Sequence, residues 1–542
     1  MCFREKRKFS RAFVVVLTSL FIVFITGCRT PQKYAAHKDA YAQGQYIASV
    51  NAFQKDMDKR IKKAGKAANG EPNPVPGSRQ YALDDMEIGT GYRAAKELSP
   101  SIDAFERAEQ GIREQQEENL AANSAFQVAS LFANDNALPY QVQEYDSIMV
   151  NTYKALNLLQ QGEIDKARVE FKRVEERQRM AAEYFQKQIA KAKADEEAQA
   201  QKENEESDNA DMPKSTKEEG GLKGKIKKLV AEKFNEAKDV VTGALRDGEN
   251  KEKMDDYEQT FSPDTWDAQE AFTNPFANYM QGLFLLVYGE DQSDAEASVL
   301  AFTKAFRKEA DPAINPAAKA LALATEVANG NKQAADLQNK IFVIFENGLG
   351  PERQEYMLPL VIPLRLDSVA NATFIDASVV LPKLVSRNEA FPYLSVCDNG
   401  IELAKTVSVC NMDAVVAAEY RERMPMILLR NVMQSGVKAV LQVIIIEQLA
   451  NQGIPRIVAS AAVAALFNLT KSADLRIWSS LPKNFQVAVV DRPSSGNLQF
   501  MVPGAPAPIG TAEIPEKGAA IVFVHTPSAQ VPLTINVISA AK

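Results

Sequence analysis

Histidine is almost missing from this chain: its 542 residues hold two, His37 and His525. Chemistry built on several histidines, whether zinc ligation or imidazole relays, is thereby excluded. Cysteine is nearly as scarce, at four: Cys2, Cys28, Cys397 and Cys410. These make no disulfide framework and contain no CxxC pair for zinc. A Walker P-loop, HExxH, an EF-hand loop and GxSxG are all absent; Gly221–Lys228 is a lysine-rich helix start without the Gly-Lys-Ser/Thr ending. A net charge of −7 offers no basic footprint for nucleic acid. Past the N-terminal segment no uncharged apolar run reaches 18 residues. The most apolar later stretch, 454–469, is alanine-rich and interrupted by Arg456. Neither a metal nor a cofactor is expected. His525, at the end of an expected strand, could head a Ser-His-Asp arrangement only with remote partners, and reads as a surface or hydrogen-bonded structural histidine. The hydrophobic share of 46% and the charged share of 25% are ordinary for globular protein, and the length allows about three domains.

What is present begins at the N-terminus. Arg4, Lys6, Arg7, Lys8 and Arg11 form a basic head, followed by an uncharged apolar run from Ala12 to Ile25. Small residues then lead to Cys28 in Ile25-Thr26-Gly27-Cys28. Head, short apolar core and small-residue site are the plan of an export signal. The run is short of the ~20 residues an uncleaved membrane helix needs. A cysteine directly after the site resembles the lipobox of bacterial lipoproteins. Residues 1–27 are therefore read as a lipoprotein signal peptide, with Cys28 acylated to tether the mature chain to a membrane. Arg29 is not the aspartate that retains enterobacterial lipoproteins at the inner membrane, so the resemblance implies the outer membrane, facing the periplasm.

Residues 28–190 read as helix almost throughout. Gly44-x-Tyr46-x-x-Ser49-x-x-x-Phe53 is one instance of a recurring spacing. Ile88-Gly89-x-x-Tyr92 with Ser101-x-x-x-Phe105-x-x-Ala108 is a second, and Gly162-x-Ile164-x-x-Ala167-x-x-x-Phe171-x-x-Val174 a third. Glycine serves the turn between helices, a small residue allows close approach, and an aromatic one turn later fills the gap. These instances resemble tetratricopeptide repeats, which implies an irregular array of helical hairpins. Residues 191–221, rich in Glu, Lys, Ala and Asp without aromatics, read as a disordered charged linker. Residues 222–335 read as an amphipathic helix (Leu222, Ile226, Leu229, Val230, Phe234) and a further hairpin at 275–306, where Ser298-x-x-x-Phe302-x-x-Ala305 repeats the spacing.

Residues 336–542 change character to a smaller α+β domain. Strands are expected at 341–345, 358–364, 391–396, 401–409, 485–490, 498–502, 520–525 and 533–537, with helices at 412–451 and 454–470 between them. Asp398-Asn399-Gly400 reads as a three-residue hairpin loop that sets Cys397 opposite Ile401. Cys410 then lies about 30 Å along the second strand, so two free thiols are expected. The predicted fold class is mainly α: an irregular tetratricopeptide-like array followed by this α+β domain.

Two stretches carry a wider resemblance. Asn134-Asp135-Asn136-Ala137-Leu138-Pro139-Tyr140 breaks the helical pattern and leads to Tyr145 and the Tyr153-Lys154-Ala155-Leu156-Asn157 helix. Ala473-Asp474-x-Arg476-x-Trp478-x-x-Leu481-Pro482 lies in the C-terminal part, after the Met412-Asp413-Ala414 to Arg430 segment. Together they resemble a family of bacterial lipoproteins with tetratricopeptide-like N-terminal halves. The chain departs from it at Val142, where the family has glycine, and at Leu475, where it has threonine. The family carries no assigned activity, so the resemblance implies location and architecture. Asn134, Asp135, Tyr140, Tyr145 and Tyr153 are the candidate partner-binding residues, and Asp474, Arg476 and Trp478 a second cluster. For the first set, turn and capping roles are the alternative; for the second, a core tryptophan beside a local ion pair. The expected role is a scaffold for other envelope proteins, in assembly, secretion or wall synthesis. The alternative is a hydrolase-type enzyme with a carboxylate or dispersed-triad site in the α+β domain.

Overall fold

The computed structural model describes residues 35–64, 76–121, 139–203, 243, 248–260, 273–306, 316–331, 336–364, 373–468 and 471–540. The signal segment, Cys28, Asn134, Asp135 and the amphipathic helix at 222–234 lie outside the described residues.

The chain is helical first and sheet-containing afterwards. Helices α1 (Ala35–Ala42) and α2 (Tyr46–Ala64) form a hairpin, as do α3 (Ala82–Ala94) with α4 (Leu98–Ala121) and α5 (Glu144–Gln160) with α6 (Ile164–Glu203). After α7 (Gly248–Gln259), α8 (Pro275–Tyr288) and α9 (Gln292–Ala305) make a fourth, and α10 (Pro316–Ala328) packs on α9. Two hairpins share one contact in detail. The Ser101 hydroxyl donates to the Gly89 carbonyl at 2.6 Å, and that of Ser298 to Gly282 at 2.8 Å. Phe105 and Phe302, four residues on, lie against the same glycines. A Cβ on Gly89 would meet the Phe105 ring at 2.6 Å, and one on Gly282 the Phe302 ring at 2.9 Å. In the first hairpin Ser49 donates to the His37 carbonyl at 2.7 Å, and the His37 and Phe53 rings meet in a T-shaped pair with centroids 4.9 Å apart. The small-then-aromatic spacing is thus a device for bringing two helices close.

α6 continues to Glu203, into the segment read as a disordered linker from 191. Its Ala, Glu, Gln and Lys residues are strong helix formers and extend a helix already nucleated by packing.

Two sheets follow. The first has strand order β13-β12-β1-β9-β8, with β1 (Lys340–Asn347) parallel to β12 (Ala519–Thr526) and antiparallel to β9 (Asn484–Asp491). β13 (Thr534–Ala540) and β8 (Val407–Asn411) are its edges. The unbroken apolar run Ile341-Phe342-Val343-Ile344-Phe345 suits a central strand covered on both faces. Phe342 and Ile344 face the helices, in a core that also holds Phe105, Tyr153 and Phe284. Ile341, Val343 and Phe345 face the other way, against Val396, Leu498 and Phe500. Those belong to the second sheet, ordered β11-β10-β6-β7: β11 (Gly510–Glu513), β10 (Asn497–Met501), β6 (Ser395–Asp398) and β7 (Ile401–Lys405). The layers are therefore helices, five-stranded sheet, four-stranded sheet. The main core runs unbroken from Ala82 to Ala540 across both parts of the chain.

Several expected strands are divided. The run 358–364 splits at Pro359-Leu360 into β2 (Glu352–Leu358), paired with β5 (Val379–Val385), and β3 (Val361–Leu364), paired with β4 (Thr373–Asp376). Proline donates no ladder hydrogen bond, so it marks the break. The run 401–409 splits at Thr406, β7 staying in the second sheet and β8 joining the first. Only Ser395–Asp398 of the run beginning at Phe391 is strand. The hairpin exists with a tighter turn than expected: Asp398 pairs with Ile401 and Cys397 with Glu402. Asn399 and Gly400, at φ of 51° and 81°, form a two-residue loop of the kind whose backbone matches strand twist. Cys397 and Cys410 fall in different sheets, both buried as free thiols.

Helix α11 (Met412–Ala450) and helix α12 (Arg456–Asn468) interrupt the strands as expected. Among the described residues 430–450 alone are long and apolar enough to cross a membrane, and 65% of that apolar window is buried inside the protein. α11 packs against α5, β5 and β9, as a core helix does.

Candidate functional site at the join of helices and sheet

Tyr140 and Tyr153, from the first of the two residue clusters singled out in the sequence, come together with Arg476 and Trp478 of the second. Trp478 is 2% exposed, and its indole N–H donates to the Thr90 hydroxyl at 3.0 Å and to that of Ser480 at 3.1 Å. Its ring meets Tyr153 edge-on at 6.2 Å and lies 6.1 Å from Phe105. Beside it the Ser479 amide and hydroxyl both donate to Glu87 at 2.7 Å. The segment after α12 is thus threaded against α3, with a tryptophan as plug and two hydroxyls as pins. Its segment-mate Arg476 lies over the Tyr140 ring at 5.9 Å.

Asp474 and Arg476 form the local ion pair, at 2.8 and 2.9 Å. Burial pushes the Asp474 carboxyl up, but the Arg476 charge and hydrogen bonds outweigh it and hold the group below the usual range. Arg353, from β2, donates to the Arg476 carbonyl at 3.0 Å and lies over the Tyr420 ring. Tyr140, Tyr145 and Tyr153 are 2%, 3% and 0% exposed. They present no face to a partner. The Tyr140 hydroxyl donates to Asp146 at 2.8 Å, and Asp146 also accepts from the Gln143 amide at the start of α5. These tyrosines are turn and core elements, all three belonging to the main apolar core.

A second chain of buried polar groups crosses the same join. Arg93, near the end of α3, donates to Asn157 at 2.8 Å and to Glu346 of β1 at 2.9 Å. Its guanidinium lies over the Tyr153 ring at 4.8 Å and the Phe523 ring at 5.4 Å. Asn157 donates in turn to Ser101, whose hydroxyl serves the α3–α4 contact described above. Glu346 lies opposite His525 in the β1–β12 register, their side chains 3.5 Å apart. The His525 Nε2 is 3.3 Å from the Tyr41 hydroxyl. A tautomer with its proton on Nδ1, toward Glu346, leaves Nε2 to accept from Tyr41. Burial lowers the His525 pKa, against an opposing pull from Glu346, so the ring is neutral at neutral pH. A cleft of about 20 Å³ lies among Tyr41, Thr90, Arg93, Glu346, His525 and Thr534, room for a water or two.

Glu346 and His525 supply the carboxylate and imidazole of a triad but lack its nucleophile. Tyr41 is the one hydroxyl that hydrogen-bonds His525 among the described residues, and burial raises its pKa well above the ordinary 10.0. An activated nucleophile needs the opposite shift. The thiols are no better placed: burial pushes Cys410 up to about 12 and raises Cys397. Among the described residues no group of three or more His, Cys, Asp or Glu is arranged to hold a metal ion. What the arrangement does is bind surfaces together: α1 is tied to β12 and α3 to β1 through groups that have left water, and α5 joins them through Asn157 and Arg93. Nothing in the sequence marked Arg93 or Glu346, because partners 253 residues apart share no local pattern.

Comparison with known protein families, with curated proteins and with solved structures finds no match to this chain.

Proposed function

We propose that this protein is a lipid-anchored scaffold of the bacterial cell envelope, tethered by acylated Cys28 and holding other envelope proteins on its helical hairpins. The observation that carries the reading is the repeated close helix contact of Ser101 on Gly89 and Ser298 on Gly282. It gives the tetratricopeptide-like spacing of the sequence a physical content, and stacked hairpins expose extended surfaces suited to peptides and proteins. The anchor reading rests on the N-terminal sequence, and a diacylglyceryl group with two chains holds durably where one would not. The binding surface is sought away from the buried tyrosines. Val169 and Met180, 49% and 50% exposed, are eleven residues apart on α6 and so lie on one face.

Capture of envelope proteins from detergent-solubilised membranes, with the full chain as bait, tests the scaffold. Val169→Asp with Met180→Asp should reduce a saturable capture while leaving the melting temperature unchanged. Undiminished capture removes this face from the reading, and no saturable partner removes the scaffold. Cys28→Ala should leave the chain unprocessed or mislocalised; normal fractionation and mobility of that variant refute the anchor.

A further inference from the structure

The fold places a chemically labile dipeptide at an exposed corner. The β6–β7 turn needs two consecutive residues at positive φ, and Asn399-Gly400 meets that need at 51° and 81°. Both residues are exposed, so water reaches the Asn399 carboxamide. Asparagine before glycine is unstable, because glycine has no Cβ to keep its amide nitrogen from the neighbouring side chain. The Gly400 nitrogen attacks Asn399 Cγ and an N–Cγ bond forms. The Cγ–Nδ2 bond breaks, and the side-chain nitrogen leaves as ammonia with the proton that Gly400 gives up. Water then opens the resulting succinimide at either carbonyl, to aspartate or isoaspartate. The net exchange is water taken up for ammonia released, with no other reactant.

Four Asn-Gly pairs occur in the chain. Asn69-Gly70 lies outside the described residues; in the other three the glycine amide is already a donor. Gly330 donates to the Val327 carbonyl at 3.0 Å and Gly348 to the Thr526 carbonyl at 2.9 Å, both main-chain acceptors. Gly400 differs, because its amide donates to a side chain, Gln499 Oε1, at 3.0 Å. Gln499 stands half-buried on β10, opposite Cys397 of β6, and reaches the turn from there. The other corner is held as well: Asp398 accepts from the Ser494 amide and hydroxyl, each at 2.7 Å. While the Gly400 N–H is donated to Gln499, the nitrogen keeps its proton and its place in the turn. We infer that Gln499 protects the Asn399–Gly400 turn from deamidation, and that this turn becomes an isoaspartate site when the carboxamide is removed. Isoaspartate carries an extra main-chain methylene. A two-residue loop between Asp398 and Ile401 cannot take that up without losing the β6–β7 register.

The test is peptide mapping of the full chain aged in mildly alkaline buffer, with aspartate and isoaspartate at each Asn-Gly pair quantified by mass spectrometry. Gln499→Met keeps the length of the side chain and removes the acceptor. From the net strength of an ordinary hydrogen bond, conversion at Asn399 should rise about 2- to 10-fold in the variant. Asn329 and Asn347, whose glycines donate to main-chain acceptors, should keep their native rates. In the unsubstituted chain Asn399 should convert more slowly when folded than when the same chain is unfolded in urea. An unchanged rate at Asn399 in Gln499→Met overturns the inference, as does a folded rate equal to the unfolded one. An equal rise at Asn329, Asn347 and Asn399 reports general loosening of the fold and overturns it too.

Discussion

Replacing Arg93 with methionine isolates the contribution of the helix–sheet join. The guanidinium is buried against two aromatic rings, and its partner Glu346 is buried on β1. Methionine fills much of the same volume, so packing over Tyr153 and Phe523 is largely kept. What is lost is the compensation of a buried carboxylate, together with the bond to Asn157. Removing one member of a buried ion pair costs about 3–5 kcal/mol. Glu346→Gln in the Arg93→Met background removes the stranded charge, so the double variant should be more stable than Arg93→Met alone. The coupling energy from the cycle should fall within about 0.5–3 kcal/mol. Denaturant unfolding of the four chains, followed by both far-ultraviolet circular dichroism and Trp fluorescence, reads the cycle. Amide exchange should show faster opening of α3 and β1 together in Arg93→Met. A loss below about 1 kcal/mol, or strictly additive single variants, would refute the claim that this pair ties the two parts of the chain.

Asp146 carries a pH prediction. Burial, opposed by the Gln143 amide and the Tyr140 hydroxyl, raises its pKa from 3.8 to about 7. Glu144 rises in the same direction to about 7, through burial and then the Glu419 charge. A carboxyl that is harder to ionise when folded stabilises the native state below its unfolded value and loses that contribution as pH rises through the folded one. From these two groups the melting temperature should therefore fall between pH 4 and 7, and Asp146→Asn should flatten the profile; an unchanged slope in the variant rejects the assignment. Gly89→Ala and Gly282→Ala should each destabilise by about 1–3 kcal/mol through overpacking against phenylalanine. If either is neutral in thermal melts, its hairpin is not held by close approach. Cys397 and Cys410 should be recovered as free thiols by non-reducing mass spectrometry and react with thiol reagents only after denaturation; a Cys397–Cys410 bridge would contradict the placement of the two strands in separate sheets.

Local chemistry was legible where it was strong and periodic. The apolar runs of β1, β9 and β12 and the long patterns of α11 and α12 read as strands and helices because burial on one or two faces leaves an unmistakable imprint. The Ser–Phe spacing read as hairpins for the same reason. Boundaries failed where one apolar run serves two sheets. Residues 401–409 look like a single strand, yet Thr406 marks the change of partner, and its hydroxyl joins the Leu394 amide to Gln486 across the gap. A change of hydrogen-bond partner leaves the side-chain alternation intact, so periodicity cannot register it. Asn399-Gly400 was present in the sequence as a two-residue turn signal, and counting Asp398 into the loop shifted the register by one.

The candidate residues show a different limit. Tyr140, Tyr145, Tyr153 and Trp478 stood out as amphipathic side chains suited to recognition, and what they recognise is their own chain. Tyr153 and Trp478 meet edge-on although 325 positions separate them in the sequence, and Trp478 reaches Thr90 across 388. An aromatic that will be covered by a distant segment has the same local neighbourhood as one that waits for a partner. Only the three-dimensional join distinguishes them. α12 shows the converse: its alanine-rich pattern reads as a helix between strands, and its Ile457 and Val458 are left in solvent. Self-recognition has absorbed the residues that looked like a binding site, so the surface left for other molecules must be sought among apolar groups the fold did not cover, on α6 and at the start of α12.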